Sequence, residues 1–192
     1  MYHQGNRDMQ DAFGSRALAD RLEATLRRST FNEADTAFIA AQTYFFLATA
    51  NAQAAPDCSF KGGPAGFAQV TAPDELIFPD YDGNGMFKSL GNIAANPQVG
   101  LLFIGMGEKP QRLRVNGIAR ILDDDPRMAG IAGAQLVVSI TPTDIFPNCP
   151  RYIPSLQSVE PSPYTPTAEA SPVEPAWKSF SLFADVVPPR RR

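Results

Sequence analysis

LIFPDYDGNGMFKSLGNIAANPQVGLLFI, residues 76–104, is the stretch whose reading decides the fold. It opens with the apolar run Leu76, Ile77 and Phe78, which reads as a strand. Residues 79–85 then carry Pro79, Asp80, Tyr81, Asp82, Gly83, Asn84 and Gly85. These types favour turns, with Gly and Asn tolerating positive φ. The spacing predicts a helix from about Gly85 to Ala95, with Phe87, Leu90, Ile93 and Ala94 on one face. Asn96-Pro97 ends it, because proline disfavours helical geometry in the residue before it. The apolar run 99–104 comes next, a strand suited to the centre of a sheet or barrel. At the start of the helix, free amide groups and the dipole favour an anion, and Lys88 and Ser89 add a cation and a hydroxyl. A Lys-Ser pair in a first turn is also an ordinary solvated helix end, and the stretch alone leaves both readings open.

Upstream, SRALADRLEATLRR (15–28) has Leu18, Leu22 and Leu26 at helical spacing, with Ser15 as N-cap. Residues 33–42 read as a second helix capped by Asn32. YFFLATA (44–50) is an aromatic-rich buried strand, and PDCSFK (56–61) returns beside it. Alternation puts Asp57, Ser59 and Lys61 on one face of that strand and Cys58 and Phe60 on the other. The polar face is either a solvent-facing edge or one side of a polar ligand site. A further strand is expected over 67–71.

Downstream, QRLRVNGIARIL (111–122) is the longest alternating strand. Leu113, Val115, Gly117, Ala119 and Ile121 share one face, while Arg112, Arg114, Asn116, Ile118 and Arg120 share the other. The arginine face is open to two readings, solvation or an anion-facing wall, and Gly117 marks a bend or bulge. A short helical segment near 127–133 and a last strand over 136–140 complete this part. From Thr141 onward, repeated prolines argue against long regular elements. Aromatic anchors, Trp177 among them, suggest that this tail wraps over the domain or a partner, with 158–171 its most mobile part.

The order is therefore two helices, four strands, a helix, three strands and an irregular tail. Short turns between consecutive strands imply antiparallel pairing and a small barrel. The chain has 192 residues, enough for one sizeable core, and a net charge of −3 that gives no broad attraction to nucleic acid. No run approaches membrane-span length, so a cytoplasmic location without membrane insertion is expected. Cys58 and Cys149 lack CxxC spacing, and His3 is the one histidine, in a terminus expected to be mobile. No metal site and no Ser-His-Asp arrangement are expected, and any redox chemistry would be borrowed from a cofactor.

FFLATA, PDCSFKGG, the stretch 76–104, RLRVNGIARI and FPNCPRYI, in that order, resemble the pyridoxamine 5'-phosphate oxidase-related flavoproteins. The resemblance covers roughly 33–153. It implies a mainly β, antiparallel, Greek-key-like split β-barrel with flanking helices. It also implies FMN as cofactor and a homodimer with the flavin at the subunit interface. The implied domain division is a helical segment 1–32, the FMN-binding barrel 33–153 and a Pro-rich extension 154–192. Carried over position by position, the resemblance assigns Ser59 and Lys61 to the flavin and its phosphate, and Lys88 and Ser89 to the phosphate. Asp80, Tyr81 and Asn84 fall along the ring and ribityl chain, and Arg112 falls near the ring.

The chain also departs from the oxidases of vitamin B6. Ser59 stands where their phosphate-binding strand begins with arginine, and Trp177 is followed by KSFSLFADVVPPRRR rather than an Arg-Leu segment. The function implied is an FMN-dependent oxidoreductase passing hydride through the flavin, its substrate a small organic molecule other than a B6 phosphate. A flavin-binding carrier or sensor without a substrate is the alternative, and haem or a deazaflavin in the same barrel is a third.

Overall fold

In the computed structural model the chain is described over residues 1–107, 109–154, 156, 162–167, 174–181, 185 and 187. Three helices, α1 (Gln4–Ala12), α2 (Arg16–Leu26) and α3 (Glu33–Ala40), precede strands β1 (Tyr44–Ala50), β2 (Pro56–Gly62), β3 (Gln69–Ala72) and β4 (Glu75–Tyr81). Helix α4 (Lys88–Ala95) leads to β5 (Gln98–Gly105), β6 (Gln111–Leu122) and β7 (Ala134–Pro147). The strands form one sheet in the order β2-β1-β5-β6-β7-β4-β3, every pair antiparallel. Among the described residues, no helix is long and apolar enough to cross a membrane.

The sheet is curled. Phe45 on β1 meets Phe78 on β4 with ring centroids 5.1 Å apart, although three strands lie between them in the sheet. Phe67 and Phe103 pack on the same Phe45 ring at 5.7 and 5.0 Å. The inner faces of β1, β5, β6 and β7 supply Leu47, Leu101, Val115 and Ile140 to one buried cluster. Large aromatic and aliphatic side chains on the concave face are removed from water together, which favours the curl. The result is a split barrel, with α4 packed over its end through Leu90 and Ile93.

Several expectations need correction. The N-terminus is a helix rather than a loose end: His3 Nδ1 accepts from the Gly5 amide and Asn6 Oδ1 from the His3 amide. Arg7–Asp20 and Met1–Glu23 ion pairs tie α1 to α2. Asn32 caps α3 as expected, and Asp35 returns the bond to the Asn32 amide. Arg28 joins this region to the barrel by pairing with Asp35 and by exchanging backbone hydrogen bonds with Ile145.

β4 runs on through Pro79, Asp80 and Tyr81, whose residue types suggest a turn. β7 supplies the ladder partners Val137, Leu136 and Ala134, and sheet pairing overrides local turn preference. β7 itself runs to Pro147, past Pro142, although the prolines argue against a long element there. Thr143 is an extra residue in β7 opposite the Asn116–Gly117 step, and this bulge accommodates a proline without a ladder N–H. Of the tail segment 158–171, most lies outside the described residues.

Candidate functional site

A cavity of about 540 Å³ opens between β2, the end of β4, the 82–87 loop and the first turn of α4. Each wall has a local cause. β2 pairs with β1 so that Ser59 lies opposite Leu47 and Lys61 opposite Phe45. Directly paired residues project to the same side of a sheet. Leu47 and Phe45 belong to the buried cluster, so the polar face of β2 lies on the concave side, where Asp57, Ser59 and Lys61 are half-buried although β2 is the outermost strand. Lys61 therefore reaches towards Asp80, whose carboxyl burial pushes up while the nearby Lys61 ammonium opposes the shift.

The end of β4 supplies the second wall. Gln135 is an extra residue in β7 opposite the Asp80–Tyr81 step, and that bulge turns the strand end at the cavity. Tyr81 lines the cavity, yet its Oη is buried without a hydrogen-bond partner. Burial pushes the phenol up to about 12, so it stays protonated throughout the ordinary pH range. Asn84 shapes its own loop, its Oδ1 accepting from the Met86 amide at 3.1 Å.

α4 supplies the third wall. Its N-cap, Phe87, sits at φ 46° and makes no side-chain cap. The left-handed region costs a residue with a β-carbon roughly 1–2 kcal/mol, a strain typical of ligand-binding loops. The first-turn amides thus lack a side-chain acceptor, beside the buried Ser89 and the exposed Lys88. Neither Lys61 nor Lys88 makes a hydrogen bond or ion pair among the described residues. Two such ammonium groups and an uncapped helix start suit an anionic group.

Seven of the eight residues singled out in the sequence line this cavity: Ser59, Lys61, Asp80, Tyr81, Asn84, Lys88 and Ser89. Arg112 is not among its walls. Its guanidinium donates to the Cys149 carbonyl at 2.9 Å, which holds the turn after β7 against the start of β6. Sequence reasoning missed Trp177 and Lys178, which line the cavity from the far C-terminal side. In the sequence Trp177 stands out only as an aromatic anchor of the tail, and nothing local announces a contact across some ninety residues. His3 is not a cavity residue, and no cluster of metal-binding side chains occurs among the described residues.

A curled seven-stranded antiparallel sheet, with a helix over its end and a polar cavity beside β2 and β4, defines the split-barrel class. The chain belongs to the pyridoxamine 5'-phosphate oxidase family, whose model matches residues 31–149. No curated protein matches it. Similar solved structures include HupZ from Group A Streptococcus, at 18% identity over 61% of this chain and 93% of that one, with a TM-score of 0.49. An FMN-binding protein from Syntrophomonas wolfei is 11% identical over 73% of this chain and 97% of its own, with a TM-score of 0.48. HutZ, the heme storage protein from Vibrio cholerae, is 15% identical over 55% and 85%, with a TM-score of 0.42.

Proposed function

We propose that this cavity binds FMN and that the protein is an FMN-dependent oxidoreductase acting on a small organic substrate. The carrying observation is the meeting of Lys61, Lys88 and the uncapped start of α4 in one cavity. Its volume of about 540 Å³ falls in the range of small-molecule sites, roughly 300–1,000 Å³. In this reading Lys88, Ser89 and the α4 amides hold the phosphate, with Lys61 and Ser59 beside it. Asp80, Tyr81 and Asn84 border the ring and ribityl chain, the buried Tyr81 hydroxyl being a donor in want of an acceptor. FMN, when bound, supplies hydride acceptance and return. The chain's own contribution is to bind the phosphate, exclude water and keep a neutral phenol at the cavity wall.

The unit proposed to carry the site is 33–153, working as a homodimer. One cross-strand row on the outer face runs Phe60, Phe46, Leu102, Arg114, Phe146. Phe60 is 62% exposed there and stacks on Tyr44 at 5.5 Å. A row of this kind suits a second copy, and Phe60→Lys is expected to shift the mass measured by light scattering from dimer to monomer.

The deciding experiment is an absorption spectrum after FMN is added and unbound ligand removed. Retained flavin in stoichiometric amount is expected, with affinity weakened on the order of tenfold or more in folded Lys61→Ala and Lys88→Ala variants. Protein at micromolar concentration that retains no flavin would overturn the reading. A flavin spectrum insensitive to every candidate substrate would favour the carrier or sensor reading. Retention of a deazaflavin or haem in place of FMN would assign the cavity to that ligand.

A further inference from the structure

We propose that residues 174–181 are a strap latched across the cavity by Lys178, and that this latch gates the entry and exit of the ligand. The gating half rests on the flavin reading above; the strap itself does not. After β7 the described residues touch the body at successive points on the way to the cavity. The Leu156 amide donates to the Met106 carbonyl at 2.6 Å. Pro166 lies so close over Gly133 that a β-carbon there would meet its ring at 2.9 Å; Gly133 also holds φ at +78°. Lys178 then pairs with Asp82, the residue that begins the cavity loop, and with Glu174 of its own segment at 3.3 Å.

These contacts bring Trp177 and Lys178 to the cavity wall. Residues 176–179 form a single 3₁₀ turn, closed by the Lys178 amide donating to the Pro175 carbonyl at 3.1 Å. So short a turn has little stability of its own. None of its residues is fully buried, Trp177 and Lys178 being half-buried. The Lys178 ion pairs are thus one attachment of the segment, beside the half-buried Trp177 at the cavity wall. The Lys178 side chain keeps only 13% of its exposure and Asp82 22%, so the pair is less screened than a surface pair. Asp82 is five residues before Phe87, the strained N-cap of α4, so the latch grips the loop that forms the anion end of the site. A short segment with no fully buried residue, fastened over a cavity in part by an ion pair, opens more readily than the sheet beneath it.

Trp177 is the sole tryptophan in the chain, so its fluorescence reports the strap without any ligand. Acrylamide quenching is to be measured on wild type, Asp82→Asn, Lys178→Met and the charge-swapped Asp82→Lys/Lys178→Asp pair, all without flavin. Wild-type quenching is expected to be several-fold weaker than that of a free indole, to rise two- to five-fold in each single variant, and to return in the swapped pair. Stopped-flow mixing with FMN is then expected to show association and dissociation both about tenfold faster in the single variants, and both returned towards wild type in the swapped pair. Free-indole quenching in wild type, or quenching unchanged by both single variants, would overturn the strap. Protected quenching with unchanged FMN rates would overturn the gate. Protection of Trp177 in a protein that binds no FMN would sustain the strap while the flavin reading fell.

Discussion

Asn92 on α4 donates through Nδ2 to Thr49 Oγ1 on β1 at 2.9 Å, and both side chains are buried. This polar contact orients α4 on the barrel, and with it the helix start that forms the anion end of the cavity. A buried hydrogen bond costs most when only one partner is removed, because the other is left desolvated. Thr49→Val and Asn92→Ala are each expected to lose roughly 1–3 kcal/mol in urea unfolding. The double variant is expected to lose less than the sum, and strictly additive losses would exclude the coupling.

Tyr81 offers a case of opposite sign. Its buried, unpartnered hydroxyl is desolvated without return in the ligand-free chain. Tyr81→Phe is expected to leave stability unchanged or raise it by about 1 kcal/mol. On the flavin reading, the same change weakens FMN binding on the order of tenfold, because the ligand supplies the missing acceptor. Spectrophotometric titration should also lack one phenol ionising near 12 in the variant.

Acid sensitivity is expected at the far end of β4. Glu75 accepts from Arg127 Nη1 at 2.8 Å, from Ser139 Oγ at 2.8 Å and from Thr71. The Arg127 hydrogen bond, helped by Thr71, holds its carboxyl down at about 2, and Arg127 holds Asp125 at about 2 as well. A depressed carboxylate means that the unfolded chain takes up protons first. The stabilisation is thus complete above about pH 4.5 and is lost as pH falls towards 2. Glu75→Gln should flatten that part of the stability–pH curve, as tracked by urea midpoints at stepped pH.

At Gly117 an added β-carbon would lie 2.5 Å from the Thr141 carbonyl oxygen and 2.8 Å from Ile140 Cγ2. The backbone oxygen cannot move aside without breaking the β6–β7 ladder. Gly117→Ala is therefore expected to destabilise by about 1–3 kcal/mol, read from thermal or urea unfolding. A loss below a few tenths would show that the bulge at Thr143 yields more readily than its geometry implies.

Periodicity and punctuation determined a great deal before any coordinates. Alternation in β1, β2 and β6, the helical spacing after Gly85 and the stop at Asn96-Pro97 were enough for seven strands and the helix between the fourth and fifth. Asn32 announced α3 by its own chemistry. These signals are local, because a pleat of period two and a turn of 3.6 residues are written into neighbouring side chains. The three polar residues on β2 and the Lys-Ser pair on α4 could likewise be singled out, but not told from solvated surface.

Only the tertiary structure brings these residues to one cavity. The β1–β2 register turned Ser59 and Lys61 to the concave side, and the Gln135 bulge turned the end of β4 towards them. Prolines at 79 and 142 read as breaks, yet the sheet carries both, since ladder pairing and a bulge outweigh a local preference worth little by itself. Arg112, assigned near the ring by the resemblance, lies outside this cavity and donates to the Cys149 carbonyl. Trp177 and Lys178 reach the cavity from the end of the chain, where Lys178 pairs with Asp82. Contacts between residues so far apart in sequence depend on how the chain closes on itself, and no local pattern encodes them.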